Sequence, residues 1–143
     1  MSTIESLSYT QWDCKYHIVF IPKGRKKAVY GKIRERLREI FHQLVAQKAS
    51  VIVEGNLCSD HIHMLIRIPP QYSVAQVVGF LKGKSAIMIA REFMGRERSF
   101  AGQSFWARGY FVSTVGANEA TVRRYIQHQE EADRKEDNPR LFK

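Results

Sequence analysis

The chain has 143 residues, of which 44% are hydrophobic, so it is long enough to bury the core of one domain and too apolar to be disordered. Its formal net charge of +9 favours a polyanionic partner, either nucleic acid or an acidic lipid surface, although a merely soluble basic protein has the same balance. No apolar run approaches the roughly 20 residues that cross a bilayer, and residues 1–11 lack the apolar segment of a signal peptide, so we expect a cytoplasmic protein with no membrane partner.

The first half of the chain predicts a strand, a helix and two more strands. Trp12 to Ile21 is rich in aromatic and β-branched residues and predicts a strand that ends before the first proline. Apolar residues at steps of three and four predict an amphipathic helix from Lys32 to Lys48. Ser50 to Cys58 and His61 to Ile68 predict a second and a third strand, joined by a tight turn.

The second half predicts a second helix, a fourth strand and a third helix. Ser73 with Gln76 three residues later is typical of a capping box, and the helical period continues to about Met94. After a loop, Phe105 to Val115 predicts a strand, and Asn118 is typical of the N-cap of a further helix. We expect a single domain over residues 1–143, of which residues 132–143 form a charged tail.

The element order is β-α-β-β-α-β followed by a helix. This order predicts an α+β protein with the ferredoxin-like split βαβ fold, which RRM domains share: one antiparallel sheet with two helices on one face. The other face is left free for a ligand or for another element. Because this fold hosts many functions, the function has to be argued from particular side chains.

Two histidines on the predicted third strand are candidate metal ligands. Since strand side chains alternate between faces, His61 and His63 point the same way, and the apolar residues between and after them point into the core. Both rings can converge on one divalent ion and leave it several open positions. A pair of ordinary surface histidines is the alternative. Asp60 just before them either orients a histidine or only forms the turn, and His17 has no assigned role.

A tyrosine and a glutamine near the end of the chain are the candidate nucleophile and third ligand. Tyr125 and Gln129 are four residues apart and share a helical face. An amide oxygen suits a hard ion, Mg²⁺ or Mn²⁺, better than structural zinc. A phenol with the ordinary pKa of about 10 is a weak nucleophile at neutral pH. Tyr125 would therefore need a metal, or charge from Arg123 and Arg124; a packed core tyrosine is the alternative.

Several stretches of the chain carry a resemblance to a known family. Residues 60–66, Asp-His-Ile-His-Met-Leu-Ile, resemble the HUH motif (histidine, hydrophobic residue, histidine), and residues 125–129 resemble a single catalytic tyrosine with its downstream glutamine. Residues 16–23, 81–85 and 105–111 resemble the family's opening strand and two later stretches. From about residue 9 to residue 131, the chain is similar to the small single-tyrosine HUH transposases, TnpA-type, of bacterial and archaeal insertion sequences.

The resemblance implies a DNA transposase that cleaves and rejoins single-stranded DNA folded into hairpins at the ends of an insertion sequence. Tyr125 would attack a phosphate to give a 5′-phosphotyrosine link and a free 3′-hydroxyl, while His61, His63 and Gln129 hold Mg²⁺ or Mn²⁺. It also implies a homodimer with composite sites, in which the histidines come from one subunit and the tyrosine from the other. The residues expected to contact DNA are basic: Lys23, Arg25, Lys26, Lys27, Lys82, Lys84, Arg108, Arg123 and Arg124.

Other functions are compatible with parts of the sequence. Residues 108–112, Arg-Gly-Tyr-Phe-Val, faintly resemble the aromatic signature of RRM domains, so a non-catalytic single-stranded nucleic-acid-binding module is the main alternative. Such a module needs neither the histidine pair nor the tyrosine–glutamine helix. Another HUH nuclease and a zinc hydrolase are further alternatives. Trp106, Tyr110 and Phe111 either stack on bases or pack in the core.

Overall fold

The computed structural model describes residues 5–7, 10–25, 27–93, 105–116, 123–124 and 126–128. Residues 123–124 and 126–128 are helical, and Lys23–Arg25 form a 3₁₀ turn. The remaining elements are strands β1 (Glu5–Leu7), β2 (Thr10–Trp12) and β3 (Lys15–Phe20), helix α1 (Gly31–Ala46), strands β4 (Val51–Cys58) and β5 (His61–Arg67), helix α2 (Val74–Phe93) and strand β6 (Phe111–Val115).

Four strands form one antiparallel sheet in the order β4-β5-β3-β6. Strands β5 and β3 are therefore central, and β4 and β6 are the edges. The predicted combination of four antiparallel strands with two long helices is confirmed. The small hairpin of β1 and β2 was not predicted. Each of its strands has three residues, which is too short for an alternating pattern to be recognised.

The predicted and observed boundaries differ most at the fourth strand. Its predicted start at Phe105 is wrong, because β6 begins only at Phe111. Trp106 instead makes an isolated bridge to Pro22, and Gly109 has a φ of 78°, a left-handed conformation that interrupts a strand. The predicted N-cap Asn118 and the tail at residues 132–143 lie outside the described residues.

The core lies between the helices and one face of the sheet. On β5, Ile62, Met64 and Ile66 are at most 2% exposed, which confirms that these alternate positions point inward. Most of the other core residues come from β3 and from both helices, and each of the following is at most 4% exposed: Ile18, Phe20, Leu37, Ile40, Phe41, Leu44, Val77, Val78, Leu81 and Ile89.

Polar contacts fix the start of α2 and tie it to α1. The Ser73 hydroxyl accepts a hydrogen bond from the Gln76 amide at 3.0 Å, and the Gln76 side chain accepts one from the Ser73 amide at 2.8 Å. The predicted capping box is thus confirmed. Farther along, Arg36 makes two hydrogen bonds to the Glu92 carboxylate, at 2.8 and 3.0 Å. Within the part of the chain that the structure describes, no helix is long and apolar enough to cross a membrane.

Trp106 is a core residue rather than a surface platform for bases. Its side chain is 5% exposed, and its ring centroid lies 4.9 Å from that of Phe20. The indole Nε1 donates to the Ser85 hydroxyl at 3.0 Å, so the one polar atom of the ring has a partner. Tyr110 and Phe111 are 38% and 58% exposed, and base stacking stays a prediction for these two.

Trp106→Phe should destabilise the fold, because it removes the donor to Ser85 while an aromatic ring remains in the core. We expect the free energy of unfolding to fall by about 1–3 kcal/mol in urea denaturation. The control Tyr110→Leu changes an exposed neighbour and should alter stability by less than about 0.5 kcal/mol. Wild-type stability in Trp106→Phe would contradict the structural role of the indole.

Candidate functional site

Three histidines form a row across the sheet face that is opposite the helices. His61 and His63 lie on β5, and His17 lies on β3. The ring centroids of His61 and His63 are 4.6 Å apart, and those of His17 and His63 are 5.5 Å apart. The structure places His61 and His63 on one face, as predicted, with His17 beside them, and the binding of one ion by both rings stays a prediction.

The register of the central strands brings His17 to this position. His63 is paired with Val19 on β3 and with Asn56 on β4. His17 is two residues from Val19, so it lies on the same face and diagonally opposite His63. Alternation along β3 alone indicates that His17 points away from the core. Its distance from His63 depends on the pairing of β3 with β5, which no local pattern reveals.

Each ligand candidate on β5 has a hydrogen-bond partner at its Nδ1 atom. His61 Nδ1 lies 2.7 Å from the Asp60 carboxylate, and His63 Nδ1 lies 3.3 Å from His17 Nε2. The Lys27 ammonium is 3.9 Å from the other Asp60 oxygen. Asp60 also lies in the turn between β4 and β5, so both roles considered for it are compatible with the structure.

Burial keeps the rings of His63 and His17 neutral at neutral pH. It is the main cause that lowers the pKa of His63 to about 4, and repulsion from His61 and His17 lowers it further, against a smaller opposing effect of Asp60. Burial also lowers the pKa of His17. A neutral imidazole is the form that binds a metal ion, so this environment favours ligation over protonation.

His61 and His63 would supply two ligands of a divalent metal, and its other ligands would have to come from other groups. Among the described residues, no group of three His, Cys, Asp or Glu side chains could hold a metal ion. Two neutral imidazoles are nevertheless suited to one ion whose other positions are filled by oxygen ligands. The predicted third ligand Gln129 and the predicted nucleophile Tyr125 lie outside the described residues.

The C-terminal helical residues contact β4 on the histidine face of the sheet. Asn56, which is fully buried and paired with His63, donates from its side-chain amide to the backbone carbonyl of Ile126. Ile126 is itself fully buried, and an Arg123 nitrogen lies 3.7 Å from the Glu54 carboxylate. Sequence reasoning did not identify Asn56, since a polar residue within a predicted strand gives no signal of a distant backbone partner.

The basic residues predicted to contact DNA have different surroundings. Lys23, Lys84, Arg108 and Arg124 are exposed, whereas Lys27 and Arg123 are partly buried and near carboxylates. The Lys82 ammonium donates to the carbonyls of Ala107 at 2.7 Å and Gly109 at 2.8 Å, and burial lowers the pKa of Lys82. Lys82 thus supports the 107–109 loop with two of its three N–H donors. The side chain of Arg25 and all of Lys26 lie outside the described part.

Comparisons with known proteins relate nearly the whole chain to transposases. A family model described as "Transposase IS200 like" matches residues 10–129. The transposase for insertion sequence element IS200 of Salmonella typhimurium is 46% identical over 134 residues, which cover 94% of this chain and 88% of the relative. The ISDra2 transposase TnpA of Deinococcus radiodurans is 25% identical over 123 residues, which cover 85% of this chain and 88% of the relative.

Two solved structures are similar in fold. A presumed transposase from Deinococcus radiodurans R1 has a TM-score of 0.68 at 24% identity, and the match covers 88% of this chain and 97% of that one. A REP-associated tyrosine transposase bound to a REP hairpin has a TM-score of 0.58 at 10% identity, with 85% of this chain and 67% of that one covered. At these identities the likeness shows the fold alone.

The free energy of unfolding should decrease as the pH is lowered, because of His63. Its pKa is lowered from 6.5 to about 4 in the folded protein, so between these values the unfolded chain binds more protons than the folded one. The contribution of His63 is complete above about pH 6.5 and is lost as the pH falls towards 4. Urea denaturation should show a loss of about 2 kcal/mol between about pH 7 and about pH 5.

His63→Gln should remove this part of the pH dependence, whatever its effect on stability at neutral pH. The control His42→Gln changes an exposed histidine on α1 and should leave the pH profile as it is in the wild type. A profile that is identical in wild type and His63→Gln would be incompatible with a neutral, buried His63.

Proposed function

The chain belongs to the IS200-like transposase family, and we propose that it is a transposase that cleaves and rejoins single-stranded DNA through Tyr125 at the ends of an insertion sequence. One contact carries the proposal. The carbonyl of Ile126 accepts a hydrogen bond from Asn56, and Asn56 is paired with His63 in the sheet. The residue that follows Tyr125 in the chain is therefore anchored next to a candidate metal ligand.

We propose that His61, His63 and Gln129 hold Mg²⁺ or Mn²⁺. Support comes from the 4.6 Å separation of the two rings, the neutral form of His63 and the Asp60 contact that orients His61. The bound ion would polarise a phosphate oxygen and orient the scissile bond. An amide oxygen from Gln129 would complete a set of ligands suited to a hard ion.

In the proposed cleavage step, the phenolic oxygen of Tyr125 forms a bond to phosphorus, and the bond from phosphorus to the 3′ oxygen breaks. The phenol loses its proton, and the departing 3′ oxygen takes one up to become a hydroxyl. The phosphotyrosine link conserves the energy of the phosphodiester, so attack by a 3′-hydroxyl can rejoin strands without ATP. Arg123 and Arg124 are the two residues that precede Tyr125 in the chain, and they would supply positive charge for the phosphate.

The proposed substrate is single-stranded DNA that folds into hairpins at the element ends. The net charge of +9 and the exposed Lys23, Lys84, Arg108 and Arg124 suit contacts with the phosphate backbone, which do not require a particular base sequence. Arg25, Lys26, Lys27, Lys82 and Arg123 complete the predicted set. A structural neighbour of this fold is described as bound to a REP hairpin.

We also propose that the protein acts as a homodimer with composite sites. Strand β6 is an edge of the sheet, and Tyr110, Phe111 and Val112 on and beside it are 38–58% exposed. An exposed edge strand with apolar side chains favours pairing with another chain. A second copy of this chain would bury both the strand edge and these side chains. In a composite site, the C-terminal helical residues would contact β4 of the partner instead of β4 of their own chain.

The strand order and the cysteines bear on the detailed fold and on the location of the protein. Counted along the chain, the four strands of the sheet have the order 2-3-1-4, which supports a ferredoxin-like split βαβ domain over residues 1–143 with an added helix that carries Tyr125. Neither Cys14 nor Cys58 is in a disulfide, as in a reducing compartment. We therefore propose that the protein is cytoplasmic.

The decisive test is covalent attachment to DNA. Single-stranded DNA from the flanks of the gene is incubated with protein and either Mg²⁺ or EDTA, and adducts are resolved on denaturing gels and mapped by mass spectrometry. We expect an adduct on Tyr125 that requires Mg²⁺. Tyr125→Phe should lose the adduct while it still binds the hairpin, because only the nucleophilic oxygen is removed.

Tyr30→Phe, which changes an exposed tyrosine before α1, is the matched control and should form the adduct normally. A covalent adduct in Tyr125→Phe would refute the assignment of the nucleophile. Tight binding by the wild type without any adduct would refute cleavage and favour the RRM-like binding module.

Mixed dimers test the composite sites. An equimolar mixture of His63→Ala and Tyr125→Phe, after subunit exchange, should recover about a quarter of wild-type cleavage, since half of the dimers are mixed and each has one intact site. Each variant alone should be inactive. If subunits demonstrably exchange and the mixture stays inactive, the histidines and the tyrosine of each site come from one chain.

A further inference from the structure

His17 lies beside the histidine pair but has no part in the proposed cleavage step. Its half-buried ring is nearly parallel to that of His63, with an angle of 22° and 5.5 Å between centroids. On its other side, the ring of Phe111 packs edge-on at 6.3 Å. His17 is on β3, which is paired on both sides. Its ring is therefore held in place by neighbours from two strands.

The contact between His17 and His63 joins two specific nitrogens, His17 Nε2 and His63 Nδ1, at 3.3 Å. A neutral imidazole has one N–H donor and one acceptor nitrogen, so one ring must donate and the other must accept. If His63 donates from Nδ1, its Nε2 is the unprotonated nitrogen that a metal requires. If His17 donates, the proton of His63 is on Nε2 and prevents ligation there.

The neighbouring histidine shows which alternative suits a metal. His61 Nδ1 is 2.7 Å from the Asp60 carboxylate, and a carboxylate only accepts. His61 therefore donates from Nδ1, and in the neutral imidazole this leaves the lone pair on Nε2. If His63 is the same tautomer, both candidate ligands offer Nε2 to the ion, and each has its second nitrogen bonded to a neighbouring side chain, as is usual for ligating histidines.

We propose that His17 is a positioning residue that accepts a hydrogen bond from His63 Nδ1 and thereby makes Nε2 of His63 the metal-binding nitrogen. His17 does for His63 what Asp60 does for His61, with a neutral acceptor in place of a carboxylate. The neutral acceptor suits the site, because His63 is only 9% exposed and a second charge there would be costly to bury. The inference rests on the proposed function only in that a metal binds.

Two substitutions separate this role from simple packing. His17→Gln places an amide oxygen, which can accept, near the position of Nε2, whereas His17→Leu fills the space without an acceptor. In the metal-free protein at neutral pH, long-range ¹H–¹⁵N NMR should find the Nδ1–H tautomer of His63 in wild type and His17→Gln. In His17→Leu, the Nε2–H form should appear.

Metal affinity gives the second measurement. Titration calorimetry with Mn²⁺ should show binding about 10–100-fold weaker in His17→Leu and near the wild-type value in His17→Gln. His42→Leu, which changes an exposed histidine on α1, is the control and should change neither the tautomer nor the affinity. Thermal unfolding of each variant verifies that the protein is folded.

The Nε2–H form of His63 in the wild type would overturn the proposal without any variant. So would an unchanged tautomer and affinity in His17→Leu, or equal impairment of His17→Gln and His17→Leu, which would make the imidazole itself a ligand or a packing element. Wild type with the Nδ1–H form but no affinity for Mn²⁺ would refute the proposed metal site and with it the role of His17 in metal binding, while it would verify the hydrogen bond from His63 to His17.

Discussion

The alternation of side chains along β5 determines which chemistry each face of the sheet can have. Ile62, Met64 and Ile66 are buried beneath the helices, so the histidines between and before them must point to the opposite face. A shift of one residue in register would exchange the two sets and place imidazoles in the apolar core. The packing that stabilises the fold therefore also holds the two candidate ligands in position.

The histidine face is itself partly covered, and this determines the protonation of the site. His63 is almost fully buried, its pKa is lowered to about 4, and its nearest ring neighbours are His61 and His17 rather than a basic side chain. Asp60 contacts His61 and lies near Lys27, so a carboxylate adjoins the His61 end of the row. The central ring of the row therefore stays neutral at neutral pH.

Features that depend on local spacing could be predicted from the sequence, and features that depend on strand register could not. The shared face of His61 and His63 follows from a period of two residues, and the Ser73 capping box follows from a spacing of three. The neighbours of His17 and Asn56 depend on how β3, β5 and β4 align. The roles of Tyr125 and Gln129 stay predictions, since both lie outside the described residues.

The contacts of the C-terminal helical residues constrain how a composite site can form. Asn56 and Ile126 are fully buried and bonded to each other within one chain, so release of these residues without a replacement would leave a buried amide unsatisfied. In a two-fold symmetric dimer, the same residues of the partner can make the same contacts by exchange. The contact energies of the two arrangements are then nearly equal. In such a dimer, DNA in contact with both subunits would shift the balance by its difference in affinity for the two states.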